Sequence, residues 1–304
     1  MNLSRLNAFC IFNAGMLLSL IPLAYAAPRY ASDSLENIER VRFTAKKGDW
    51  DNAKNWDSKK VPEGFVRVYV EGICTLSSRC SNTDDIMVSS NPKKSPAILY
   101  IEEGTVAKLA GIGAPHLLTP NAAGEIYMRG GKVETGNGII YPGTVHLGVG
   151  GTVSGTGFFE ISGGKLSSGI FVGSMLPNTQ TGTFSVVGGR ADITANSAGK
   201  GLNKLYVAAS GTVKFLPDDS GISTLDYSGA LAVFEGGKVL IDGSAYKKGS
   251  AEFTLLVADS IKGDPKVEIV NFASNYTVDV QKSKESKKRG AKESLVLKIK
   301  DKGN

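Results

Sequence analysis

The feature that most constrains the fold is a recurring phrase in which an alternating apolar stretch runs into a glycine pair and resumes as another such stretch. It reads Ile126-Tyr127-Met128-Arg129-Gly130-Gly131-Lys132-Val133, then Phe159-Glu160-Ile161-Ser162-Gly163-Gly164-Lys165-Leu166. It returns as Phe184-Ser185-Val186-Val187-Gly188-Gly189-Arg190-Ala191 and as Val233-Phe234-Glu235-Gly236-Gly237-Lys238-Val239-Leu240. Self-similarity every few tens of residues marks a solenoid, where each turn buries its apolar face only by stacking on the next. The period within each phrase is two, with Val, Ile and Thr prominent, so the repeating unit is built from strands. A second strand type runs alongside: Val145-His146-Leu147-Gly148, Ile170-Phe171-Val172-Gly173 and Leu205-Tyr206-Val207-Ala208.

The 37 glycines among 304 residues suit frequent sharp corners, because glycine takes positive φ without steric cost. Counting second glycines as equivalent corners, with Gly211 as a further one, gives the series Gly131, Gly164, Gly189, Gly211 and Gly237, in steps of 22 to 33 residues. A phosphate-cradling loop would need a helix after the glycines, and here a strand follows each pair.

Residues 1–26 read as a signal peptide: Arg5, an apolar run from Ala8 to Leu23, then Ala24-Tyr25-Ala26 before Ala27. A polar leader is expected over 27–40, an N-terminal cap with the first strands over 41–96, solenoid repeats over 97–275, and a basic tail or closing strand over 276–304. Secretion or cell-surface display follows, with the periplasm as a third location and no transmembrane segment after cleavage. Cys10 leaves with the signal, and the remaining Cys74 and Cys80 are expected to form a short-range disulfide. Trp50 and Trp56 suit a lid over the first turn, since an open solenoid end exposes both core and unpaired backbone. Stacking of the two indoles on sugar rings is the competing role.

These segments resemble bacterial autotransporter-passenger-like β-solenoid proteins of the PEP-CTERM/autotransporter-associated repeat type. The likeness rests on Trp50-x5-Trp56 followed by Val61-Pro62, on the strand-Gly-Gly-strand repeats with their companion strands, and on Leu240-Ile241-Asp242-Gly243 followed by Phe253-Thr254-Leu255-Leu256. It covers about residues 41–275 and implies an all-β, right-handed parallel β-helix with capped ends, on or outside a bacterial cell. The chain departs from true autotransporters in lacking a long C-terminal membrane barrel, which puts self-translocation in doubt.

Chemistry is sparse. Asp84-Asp85 and Asp218-Asp219 are the densest acidic pairs, but adjacent strand residues point to opposite faces, and Pro217 to Gly221 has the composition of a turn. His116 and His146 have no nucleophile elbow to serve, no metal-ligand spacing occurs, and no catalytic residue or cofactor is assigned. Arg129, Lys132, Lys165, Arg190 and Lys238 recur beside the glycine pairs; they solubilise an edge or form a positive ladder for an acidic glycan. Residues 281–304 hold nine Lys or Arg against three acids, nearly all of the chain's net charge of +6. Such an end solubilises, or attaches to an anionic polysaccharide or cell-envelope polymer. Nucleic acid is not expected, because no reader motif accompanies the charge. The expected function is structural or adhesive without catalysis; the alternatives are a polysaccharide lyase or hydrolase and a non-catalytic glycan-binding module.

Overall fold

Alternating strands broken by glycine corners stack into a β-solenoid of about seven turns. The structure is a computed structural model that describes residues 38–81, 85–89, 96–109, 111–114, 122–142, 155–173, 180–195, 203–284 and 293–303. The expected signal peptide, most of the leader, Asp84, His116 and His146 lie outside the described residues. Among those residues there are 23 strands, two single-turn 3-10 segments and no α-helix; no helix is long and apolar enough to cross a membrane.

The strands form a nine-stranded sheet, termed face A, and a fourteen-stranded sheet. Face A runs through Lys47–Asp49, Ile73–Leu76, Ala97–Ile101, Ala122–Met128, Gly155–Ile161, Gln180–Val187, Gly211–Leu216, Lys238–Asp242 and Lys266–Val270, each parallel to the next. The larger sheet divides into two strips. Lys132–Pro142 pairs with Val106–Leu109 through its first part and with Gly111–Ala114 through its last, and its register to Gly164–Val172 shifts between Glu134 and Ile139. The chain therefore circulates from face A through a first strip to a second strip and back.

Strict alternation sends every second side chain inward. One inward row of face A is Cys74, Leu99, Ile126, Phe159, Phe184, Val213 and Val239, in continuous register and no more than 1% exposed. Phe159 and Phe184 stack at 5.4 Å within it. Each fully buried side chain of this kind stabilises the fold by roughly 1.5–3 kcal/mol.

The glycine corners are of two kinds, which the series of equivalent glycines did not distinguish. Gly104, Gly131 and Gly164, at φ of 90°, 73° and 83°, lead from face A into the first strip. At the next coil the left-handed residue is Gly188, at 63°, and Gly189 is not left-handed; Gly164 pairs with Ala191, so the corner holds extra residues. Gly211 and Gly236-Gly237 belong to the other corner, from the second strip back into face A.

At the N-terminal end Phe43, Trp50 and Trp56 form the lid. Both indoles are buried, 4.8 Å apart and edge-on, and Trp56 Nε1 donates to the Trp50 carbonyl at 2.7 Å. At the other end Tyr276–Ser283 and Glu293–Asp301 pair antiparallel, and Glu293–Asp301 lies antiparallel against Ala251–Lys262. Leu295, Leu297 and Ile299 are buried, so these parts of the basic end close the larger sheet.

The disulfide expected from sequence is not present: Cys74 and Cys80 are separate thiols. They lie on either side of the corner between Ile73–Leu76 and Arg79–Ser81, so their spacing is taken up by rounding a turn of the coil. Each fills a core position, Cys74 beside Leu99 and Cys80 beside Ala107. Burial, reinforced by Asp49, pushes the Cys74 thiol far up and suppresses its thiolate.

Candidate functional site: an aromatic stripe on face A

What points inward on face A is uniformly apolar; what points outward is not. Two outward rows run along the stack, one of Ile98, Glu125, Phe158 and Thr183, the other of Tyr100, Tyr127, Glu160, Ser185 and Lys214. In-register parallel pairing brings three rings into one stripe: Tyr100 and Tyr127 stack at 5.4 Å with planes 25° apart, and Phe158 tilts against Tyr127 at 5.6 Å. All three are partly exposed. The Arg129 guanidinium lies 4.4 Å from the Tyr100 ring centroid, a cation–π contact, while also pairing with Glu102 at 3.1 Å.

Polar groups surround the rings. Tyr127 donates its hydroxyl proton to Glu125 Oε2 at 2.8 Å, and burial followed by that hydrogen bond pushes the phenol far above its ordinary range. Burial raises the Glu160 carboxyl, against the opposing pull of Lys214 and Arg129. Lys214 pairs with Asp242 at 2.8 Å. Between Glu160 and Lys214 sits Ser185, 1% exposed, whose Oγ has no hydrogen-bond partner among the described residues. The stripe thus offers flat apolar surface, carboxylate acceptors and cationic donors, repeated at the strand spacing of about 4.8 Å. That pitch is close to the length of one sugar ring.

Of the basic residues singled out by sequence, only Arg129 joins this stripe. Lys132 and Lys165 are neighbours on the first strip, paired respectively with Glu134 at 4.0 Å and Asp192 at 2.9 Å. Arg190 is exposed at the corner beside Gly189, and Lys238 lies on face A paired with Glu268 at 2.6 Å. These positions form no single positive ladder, because Lys238 follows the other kind of glycine corner and neighbouring acids pair with Arg129, Lys132, Lys165 and Lys238. Trp50 and Trp56 are interior, with no ring face for a ligand.

Of the carboxylates tested by sequence, Asp218 and Asp85 are structural. Asp218 Oδ1 accepts from Ser220 N at 2.7 Å and from its Oγ at 2.6 Å, fixing a turn, and Asp85, 1% exposed, lies 3.6 Å from Arg67. Among the described residues no three His, Cys, Asp or Glu side chains cluster as metal ligands. No family model matches the chain, and no curated protein or solved structure is similar to it.

Proposed function

We propose that the protein is a secreted, cell-surface adhesive β-solenoid that binds an extended glycan along the outside of face A without turning it over. The observation that carries this reading is the Tyr100, Tyr127 and Phe158 stripe, two stacked rings with a third tilted against them, edged by Glu125, Glu160 and Arg129. Aromatic faces cover the apolar C–H faces of sugar rings, while carboxylates and a guanidinium fix hydroxyls. Because the corner lysines have acidic partners, the rings rather than a positive field select the ligand, and a neutral or weakly charged polysaccharide fits better than a polyanion. The expected signal peptide is in keeping with display outside the cell.

The test is a glycan array on the full chain, followed by calorimetric titration of soluble oligosaccharides of the bound class. Tyr127→Ala and Phe158→Ala should each weaken binding about tenfold or more, with Lys165→Ala unchanged. Equal affinity of all three variants would remove the stripe from the binding surface. A second reading, a hydrolase, draws on the half-buried Glu160 carboxyl diagonal to Glu125 across the ladder, since a raised pKa keeps a carboxyl protonated as a general acid requires. Release of reducing ends by the wild type, lost in Glu160→Gln with binding retained, would favour it.

A further inference from the structure

The two ends of the solenoid differ. At the start, Trp50 and Trp56 fill the core cross-section, and Asn55 Nδ2 and Asn52 N donate to the Asp49 carbonyl at 2.9 and 3.3 Å. At the finish, Lys266–Val270 is the outermost strand of face A and, among the described residues, pairs only with Lys238–Asp242. Its inward residues continue the core rows, Val267 after Val239 and Ile269 after Ile241, yet they are 43% and 37% exposed where their predecessors are 0%. Two apolar core positions are therefore uncovered on a strand with one unpaired edge, a combination that recruits another strand.

We infer that this edge is a homodimer interface, in which Lys266–Val270 of a second copy adds antiparallel and completes the core. Alternation restricts the register, since Val267 and Ile269 must stay on the core side in both copies. Placing Val267 opposite Val267 sets Lys266 of each copy across from Glu268 of the other, giving two opposite-charge pairs. Centring instead on Glu268 sets two carboxylates face to face, which is unfavourable. The pairing is two-fold and uses the same edge of both copies, so assembly closes at two.

Sedimentation of the full mature chain over a range of micromolar concentrations tests this. The wild type should sediment as a dimer, and Val267→Lys and Glu268→Lys should each weaken association at least tenfold with unchanged circular dichroism. The exchange variant Lys238→Glu/Lys266→Glu/Glu268→Lys should restore it, because the charges again complement both between the copies and at the Lys238–Glu268 pair within each. A wild type that is monomeric throughout, including one that instead captures a foreign strand, overturns the proposal. So does a dimer insensitive to Val267→Lys, or a failure of the exchange to rescue.

Discussion

Replacing Gly164 by alanine probes the corner geometry most directly. Its φ of 83° lies in the left-handed region, where a side chain costs about 1–2 kcal/mol. A Cβ there would also stand 2.6 Å from Gly130 C, Gly130 O and Gly131 O, all backbone atoms of the preceding coil. Relief requires the coils to part, stretching the Lys165 N to Gly131 O bond of 2.8 Å, a bond worth roughly 0.5–1.5 kcal/mol. The total is about 1.5–3.5 kcal/mol. Gly229 supplies the control: its φ is 87°, but nothing lies within 4 Å of a Cβ, so Gly229→Ala should cost only the backbone strain, about 1–2 kcal/mol. Guanidinium unfolding followed by circular dichroism measures both, with midpoints compared at constant slope. If Gly164→Ala is no more destabilising than Gly229→Ala, the close stacking of successive corners is refuted.

Cys74 and Cys80 should resist thiol alkylation in the folded protein and both react after denaturation, with the intact mass unchanged by reductant; a two-hydrogen gain on reduction would contradict the separate thiols. Asp242 yields a pH dependence. Its burial opposes ionisation, but hydrogen bonds from Lys214, Asn271 and Ser244 prevail and hold the carboxyl well below the usual range. A depressed folded value contributes stability that is fully present above the unfolded value of about 3.9 and is lost as pH falls toward the folded one. The stability advantage of the wild type over Asp242→Asn should therefore be constant near neutrality and shrink below about pH 4, and an advantage independent of pH would refute the assignment.

The coiled architecture was legible because period-two patterning and glycine corners are local signals. Which corner a glycine turns was not. Gly131 and Gly236 both adopt a left-handed backbone, and nothing in the residue itself says whether the next strand joins face A or the first strip. The same limit hid the aromatic stripe. Tyr127 meets Glu160, and Glu160 meets Ser185, across coils of unequal length, so the outward rows appear only once the register is known. Tyr100 and Tyr127, each at an outward position of an alternating strand, were the available clue. The cysteine spacing misled because it spans a corner, and proximity along the chain became separate seats in the core. Trp50 and Trp56 were readable as a lid because a solenoid end has an obligatory burial role for large apolar rings.

The parallel ladder has a mechanical consequence. Its hydrogen bonds run along the long axis of the molecule, so tension applied through the C-terminal end loads them one after another rather than together. Glu293–Asp301 and Tyr276–Ser283 must detach first, after which the coils peel singly. Each coil releases a length of chain set by its own residue count; between Lys238 and its ladder partner Lys266 that is roughly 90–100 Å when fully extended. In the adhesive role proposed above, the protein would yield under flow in discrete increments, dissipating load while both attachments stay intact. Single-molecule pulling would register this as a sawtooth whose spacing varies from coil to coil with coil length.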